Sequence, residues 1–363
     1  MRTTVHTVFL AALAGVAACS DSPDGRSRSR YEEPGPHPVG NARFAILSSG
    51  GDRVLTTEAW YPAAESEAAE AGAGFPIEDF VPPGPDRAAF TALLATAHDP
   101  GTRRRTQSKY DAEPTTEPGL LPVVLFSHCH ECTRFSAFTV AERLASWGFV
   151  VIAPDHAGNT LFDGLAGTGA DIGDPFLAIR GDDLSLVLDS SLSAMPGAFP
   201  EALRGRLDGT RVGVFGHSFG GATVGRVLQE DPRVSAGFAM GAPVESFVFP
   251  SVTLAGIDEP LGFLLLEEDD SIGPIGNDFI VQNFEAANPP VWLIEMPDAG
   301  HWSVSDLCGI VPDLGDGCIG EDGSWAPIAE TRADAATWAT AFFELRLNGV
   351  PDASTGLDPD VRE

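Results

Sequence analysis

The chain has 363 residues, of which 43% are hydrophobic, so it can bury a sizeable core and is neither disordered nor fibrous. Asp and Glu number 52 against 22 Lys and Arg, giving a formal net charge of -30. Phosphate binding needs a clustered cationic face, and a field this negative repels polyanions, so the composition argues against nucleic acid as a partner.

The N-terminus is typical of an export signal. Arg2 precedes an apolar run from Val5 to Ala18 that ends in small residues, and this run is shorter than the roughly 20 residues that span a bilayer. The run closes on Val16-Ala17-Ala18-Cys19. This ending resembles the lipobox of bacterial lipoproteins, in which the cysteine is acylated and becomes the first mature residue. The alternative is an ordinary cleaved signal with Cys19 as an incidental thiol.

The predicted organisation has four parts. Residues 1–18 form a lipoprotein signal peptide, residues 19–40 a flexible tether rich in Ser, Pro, Gly and charge, residues 41–349 the folded domain and residues 350–363 a disordered tail. Ser20, rather than Asp, follows the cysteine. In a Gram-negative source the resemblance then favours the outer membrane or cell surface, with membrane contact through the lipid only.

Export would place the remaining four cysteines in an oxidising compartment. They are Cys129, Cys132, Cys308 and Cys318, and four cysteines allow three connectivities. Local loop closure favours Cys308 with Cys318 and, more weakly, Cys129 with Cys132.

Strand and helix patterns alternate along most of the chain. Strand-like segments at Ala42–Ser48 and Val54–Tyr61 flank a Gly-rich turn and predict an opening antiparallel hairpin, and residues 63–120 look irregular, with a short helix over Arg87–Ala97. Buried strands are then predicted at Pro122–Ser127, Phe149–Pro154, Arg211–Gly216, Val234–Met240, Leu261–Leu266 and Val291–Met296, with helices at Phe135–Trp147, Pro175–Ala194, Phe219–Glu230, Asn277–Ala287 and Ala329–Leu347. Such alternation predicts a mostly parallel sheet with helices on both faces and a site at the carboxyl ends of its strands.

One motif carries the chemistry. Gly216-His217-Ser218-Phe219-Gly220-Gly221 places G-x-S-x-G between a predicted strand and a predicted helix, which is the context that a nucleophile elbow requires. The flanking glycines are needed because side chains there would collide with the neighbouring backbone. We therefore predict Ser218 as a nucleophile.

A serine nucleophile needs a base and a carboxylate that orients the base. His301 is the only histidine downstream of Ser218, and it follows the strand that ends at Met296. The acid is expected among residues 267–270, directly after the strand Leu261–Leu266. We choose Asp270, with Asp269 as the runner-up.

The oxyanion of such a reaction is stabilised by backbone N–H groups. In this fold they come from the residue after the nucleophile and from the first strand-to-helix loop of the parallel sheet. These positions are Phe219 and the loop 127–132, in which we choose His130 as the second donor.

The same loop suggests two rival interpretations. Two His, two Cys and a Glu lie within residues 128–132, which resembles a metal site, but ligands so close together cannot all point at one ion. A redox dithiol at Cys129 and Cys132 lacks any other thioredoxin-like feature. We expect no metal and no cofactor.

Several segments together resemble the bacterial α/β-hydrolases, and among them the platelet-activating factor acetylhydrolases and predicted dienelactone hydrolases. They are Trp60-Tyr61-Pro62, Pro122-Val123-Val124-Leu125-Phe126-Ser127-His128, Leu144-Ala145-Ser146-Trp147-Gly148-Phe149-Val150-Val151 and the elbow. Two departures stand out: Cys129 replaces the glycine usual after the loop histidine, and no carboxylate other than Glu245 follows Ala239-Met240-Gly241-Ala242-Pro243, where the acetylhydrolases place their acid. The turn Glu268-Asp269-Asp270-Ser271-Ile272-Gly273-Pro274 is similar instead to that of cutinase-like polyester hydrolases.

The resemblance implies an exported serine esterase that acts on acetylated or short-chain phospholipid-type esters. The runner-up substrate is a general carboxylic ester or polyester. The alternative from another class is a surface lipoprotein that kept the fold for binding without catalysis.

Overall fold

A computed structural model describes residues 29–97, 102–117, 119–193, 197, 199–312, 314–318, 325–357 and 360–362. One ten-stranded sheet runs through this part of the chain in the order β10-β9-β8-β7-β6-β4-β5-β2-β1-β3. The strands are β1 Val39–Leu47, β2 Val54–Pro62, β3 Ser108–Tyr110, β4 Leu121–Ser127, β5 Val150–Pro154, β6 Leu207–His217, β7 Val234–Met240, β8 Leu261–Leu266, β9 Val291–Met296 and β10 Asp360–Arg362.

The predicted fold class is confirmed. Strands β4 to β9 pair in parallel with one another, β1 and β2 form the expected antiparallel hairpin, and β2 pairs antiparallel with β5. The helices are α1 Ala68–Ala73, α2 Pro85–Thr96, α3 Phe138–Ser146, α4 Leu161–Ala166, α5 Asp174–Leu192, α6 Phe219–Glu230, α7 Gly273–Ala286 and α8 Ile328–Arg346. Strands β7, β8 and β9 and helix α6 have the predicted bounds.

The central strands are apolar because both of their faces are covered. Every residue of β5 and β8 is buried. One core cluster, containing Phe126 and Phe215, lies on the face that α3 and α8 cover, and a second, containing Val214 and Leu184, lies under α5 and α6. Burial on both faces explains continuous apolar runs instead of alternation.

Residues 29–40 differ from the predicted tether. Tyr31 is buried against Trp147, and its carbonyl accepts a hydrogen bond from Arg143. The Gly35 N–H donates to Ser146 Oγ at 2.8 Å. An aromatic ring and backbone bonds therefore fix this segment to α3, which the polar composition did not indicate.

The predicted disordered tail is also corrected. Residues Pro351–Gly356 form a 3-10 helix, Ala353 and Leu357 are buried, and β10 pairs antiparallel with β9. The segment is ordered because small and apolar side chains pack against α8. The predicted irregular segment 63–120 contains α1, α2 and β3.

The predicted signal peptide and Cys19 lie outside the described residues. Within the described ranges, none of the helices combines the length and the hydropathy of a membrane span.

Candidate active site

Ser218 lies at the junction of β6 and α6, in a strained conformation. Its φ is 56° and its ψ is -121°, and its N–H donates to the Met240 carbonyl at 2.9 Å. A non-glycine residue with positive φ costs about 1–3 kcal/mol and is held only where its surroundings require it. The elbow is therefore a built feature that presents Oγ beyond the carboxyl end of the strand.

The glycines of the motif make this junction possible. A Cβ at Gly216 would lie 2.0 Å from the Gly220 carbonyl oxygen, and one at Gly220 would lie 1.9 Å from the Ser127 carbonyl oxygen. Both contacts are with backbone that cannot move aside. The elbow thus packs directly on the end of β4, next to the loop 127–132.

His301 is paired with a carboxylate. Its Nδ1 donates to Asp269 Oδ2 at 2.6 Å, and both residues are almost fully buried, at 2% and 3% exposure. Because Nδ1 carries the proton of a neutral imidazole here, Nε2 is left as the basic nitrogen. Ser218 and His301 line the same cavity of about 340 Å³.

The choice of Asp270 is corrected, because the carboxylate that reaches the imidazole belongs to Asp269. Asp269 is the buried residue of the turn 267–270, whereas the other three acids are exposed. The Asp270 N–H donates to Asp316 Oδ2 at 3.0 Å. The side chain of Glu245, the acid after β7, is engaged elsewhere, since it accepts a hydrogen bond from the Leu254 N–H at 2.6 Å.

The side chain of His217 stabilises the loop that contains His301. Its Nε2–H donates to the His301 carbonyl oxygen at 2.8 Å. Burial lowers the pKa of His217 well below its usual value, and the neighbouring His301 lowers it further. His217 is therefore a neutral donor that fixes the backbone of the histidine loop.

The predicted oxyanion donors flank the serine. Phe219 is the first residue of α6, where backbone N–H groups have no partner within the helix. His130 lies in the loop after β4 and lines the cavity that contains Ser218 and His301. Its Nδ1 accepts from Asn159 Nδ2 at 2.9 Å, and burial lowers its pKa.

Both favoured disulfides are present. Cys129 bonds to Cys132 within the loop, and Cys308 bonds to Cys318 beyond His301. Cys129 and Cys132 are thus joined to each other and offer no thiolate to a metal. Their ring constrains the backbone around His130.

A second cavity, of about 270 Å³, opens on the other side of Ser218. We call it the apolar cavity; it is lined mainly by Phe219, Phe247, Phe249, Ile275 and Phe279. The cavity that holds His301 is called the imidazole cavity. Phe247 and Ile275 are 75% and 67% exposed, so an apolar surface surrounds the entrance.

Sequence reasoning missed two groups that hold this site together. Asp316 bonds to the loops of Asp269 and His301, and its position in a long irregular segment carried no signal. Arg180 contacts the loop 127–132 from inside α5. Its one available signal was a charged residue in the middle of an apolar helix face.

The family model of platelet-activating factor acetylhydrolase, isoform II, matches residues 179–268. A probable 1-alkyl-2-acetylglycerophosphocholine esterase of Arthroderma benhamiae is 30% identical over 32% of this chain and 30% of its own length. Cutinase est2 of Thermobifida alba is 33% identical over 29% of each chain. The chain thus spans about a third of the length of these curated relatives.

The solved structure of a ferulic acid esterase from Streptomyces cinnamoneus superposes with a TM-score of 0.62 at 22% identity, over 90% of this chain and 97% of that one. At this identity the likeness shows the fold alone. The family model covers the nucleophile elbow and ends at Glu268, one residue before Asp269. The elbow, the sheet order and these relatives agree with one another, and the chain is similar to serine esterases that have the α/β-hydrolase fold.

Proposed function

We propose that the protein is an exported serine carboxylic-ester hydrolase that works through an acyl-enzyme. Ser218 is the nucleophile, His301 the general base and acid, and Asp269 the carboxylate that orients His301. The backbone N–H groups of Phe219 and His130 stabilise the oxyanion. The buried pair of His301 and Asp269 beside the strained Ser218 is the observation that carries this proposal.

The arrangement supports the following reaction. His301 Nε2 takes the proton of Ser218 as Oγ attacks the ester carbonyl, and the tetrahedral oxyanion is held by the two N–H groups. The imidazolium then protonates the leaving alcohol, and water, activated by His301, releases the acid. Asp269 stays ionised and stabilises the imidazolium.

The two cavities suggest how an ester binds. The general acid must lie beside the leaving oxygen, so the imidazole cavity takes the alcohol part. The apolar cavity, lined by phenylalanines, takes the acyl part. The match to the acetylhydrolase model supports acetylated or short-chain phospholipid-type esters. The cutinase relative and the exposed Phe247 and Ile275 support an insoluble or polyester substrate as the second candidate.

Labelling with a fluorophosphonate, followed by peptide mass spectrometry, tests the function. We expect Ser218 to be the modified residue and Ser218→Ala to lose about 10⁶-fold in kcat on a p-nitrophenyl ester. Folded protein that neither labels nor turns over would support a non-catalytic surface lipoprotein instead. Hydrolysis of an acetylated phospholipid compared with that of a polyester film then separates the two substrate candidates.

Export and lipid attachment are a separate proposal. The apolar run before Cys19 supports it, and two disulfides are typical of an oxidising compartment. In a bacterial host that processes lipoproteins, the mature protein is expected to begin at an acylated Cys19. Cys19→Ala is expected to remain unacylated, and mass spectrometry of the N-terminal peptide measures both. An unmodified Cys19 in the mature protein would contradict the lipid anchor.

A further inference from the structure

A fully buried arginine holds the loop that carries the second oxyanion donor. Arg180 lies in the middle of α5, and its guanidinium donates to the carbonyl oxygens of His128 at 2.5 Å and Cys129 at 3.1 Å. It also donates to Ser127 Oγ at 3.2 Å and to Asn159 Oδ1 at 2.6 Å. One side chain therefore bonds to three successive residues of the loop.

The bond to Cys129 sets the direction of the His130 N–H. The Cys129 carbonyl and the His130 N–H belong to one planar peptide group and point in opposite directions. His128 Nδ1 donates to the same carbonyl oxygen at 2.7 Å. Because both donors bind the carbonyl oxygen, the His130 N–H at the opposite edge of the peptide points away from Arg180. The two donors also polarise the peptide, and polarised hydrogen-bonding groups are stronger donors.

Arg180 also contacts the side chain of Phe219, the residue that carries the other assigned oxyanion donor. Its guanidinium carbon lies 4.3 Å from the centre of the Phe219 ring. Asn159, which accepts from Arg180, donates through Nδ2 to His130 Nδ1 at 2.9 Å. Both residues whose N–H groups we assign to the oxyanion hole are therefore connected to this one guanidinium.

The charge of Arg180 is not neutralised by a bonded carboxylate. Among the described residues, its hydrogen bonds go to carbonyl, hydroxyl and amide oxygens. Asp183, whose negative charge raises the pKa of Arg180, instead binds Arg53 through both of its oxygens and accepts a hydrogen bond from His156 Nδ1 at 3.0 Å. Burial lowers the pKa of Arg180 to about 9, which leaves it charged at neutral pH. A buried cation of this kind is costly at rest and favours negative charge formed nearby.

The remaining contact fixes Ser127. His156 Nε2 accepts from Ser127 Oγ at 3.0 Å, while Nδ1 of the same ring donates to Asp183. Ser127, His156 and Asp183 thus repeat a serine–histidine–aspartate arrangement. All three are buried, so no ester can reach this serine. The arrangement fixes the end of β4, including Ser127 Oγ, which accepts a hydrogen bond from Arg180.

We propose that Arg180 is a positioning residue that presets the oxyanion hole and favours the oxyanion by its charge. The proposal rests on the proposed esterase function. Arg180 acts through the peptide between Cys129 and His130, and its substitution therefore weakens stabilisation of the transition state more than binding of the substrate.

The test compares Arg180→Met, Arg180→Lys and wild type, with rates expressed per Ser218 labelled by fluorophosphonate. For Arg180→Met we expect kcat to fall by about 10²-fold with KM changed by less than about threefold. Affinity for a trifluoromethyl ketone, whose hemiketal oxygen occupies the oxyanion hole, is expected to fall by the same factor. Arg180→Lys keeps the charge but cannot reach all four acceptors, and its losses are expected to be intermediate.

Val187→Ala is the matched control, because Val187 is a buried residue of the same helix. It removes packing without touching the loop contacts, and its kcat per labelled site is expected to stay at the wild-type value. If Arg180→Met does not fold, Arg180→Lys decides alone. Wild-type kcat and ketone affinity in the variant that folds would overturn the proposal. An inactive, unlabelled wild type would instead overturn the esterase function itself.

Discussion

The Asp316 carboxylate accepts a hydrogen bond from the backbone N–H of His301 at 3.1 Å. The same oxygen accepts from the N–H groups of Asp270 and Ser271, each at 3.0 Å. One carboxylate therefore joins the turn of the acid to the loop of the histidine. The disulfide between Cys308 and Cys318 closes the segment that contains Asp316, so the covalent link and the hydrogen bonds act on the same loops.

Asp316→Ala is expected to lower kcat by about 10-fold to 100-fold, because three N–H groups lose an acceptor worth about 1–3 kcal/mol when left unsatisfied. KM should change less, since the contacts lie behind the imidazole. Steady-state kinetics on a p-nitrophenyl ester measure both constants. Asp278→Ala, which removes an exposed carboxylate from α7, is the control. Equal rates in the two variants would show that Asp316 does not position the pair.

The pairing of His301 with Asp269 predicts a sharp difference between neighbouring residues. Asp269→Asn is expected to lower kcat by about 10⁴-fold, because an amide cannot hold the imidazole in the required tautomer. Asp270→Asn is expected to stay within about threefold of wild type, as its exposed side chain lies outside the pair. The two variants differ by one position and control each other. A large loss in Asp270→Asn alone would contradict the assignment.

These residues show what sequence reasoning could and could not reach. Ser218 was predictable because an elbow needs glycines near the nucleophile, and the sequence has them on both sides of Ser218. His301 followed from chain order, since one histidine remained downstream. The acid was placed in the correct turn but one residue too far. A strand pattern ends with the strand, and the direction of each side chain beyond Leu266 depends on turn geometry that the pattern does not contain.

Arg180 and the ordered segments at both ends of the domain were beyond such reasoning for a related reason. Their partners lie far away along the chain, as when the Gly35 N–H meets Ser146 Oγ. Composition describes a segment by itself, and it suggested flexibility for residues 29–40 and 350–357. The packing of Tyr31 and Leu357 is decided by surfaces that only the folded sheet and helices create.

The apolar cavity predicts control over acyl-chain length. Val248 lines it and is 37% exposed, so Val248→Trp can fill space without disturbing the core. The kcat/KM for p-nitrophenyl octanoate is expected to fall about 10-fold relative to that for the acetate ester, because a pocket discriminates by about 1–3 kcal/mol for each methylene it excludes. Val54→Trp, at a 53% exposed position in β2, is the control. An equal loss for both esters would place the acyl chain elsewhere.

Buried His217 predicts a pH dependence of stability. Burial holds its pKa in the folded protein well below the ordinary histidine value of about 6.5, so below about pH 6.5 the unfolded chain binds a proton that the folded chain does not. The free energy of unfolding therefore decreases as the pH is lowered below about 6.5, by up to about 1.4 kcal/mol per pH unit from this group. His217→Gln keeps a donor for the His301 carbonyl but does not titrate. Urea unfolding of both proteins between about pH 7 and pH 5 measures the difference, in which the carboxylates common to both proteins cancel. We expect the advantage of the wild type to shrink steadily below about pH 6.5, whereas a constant difference would mean that His217 does not stay neutral in the fold.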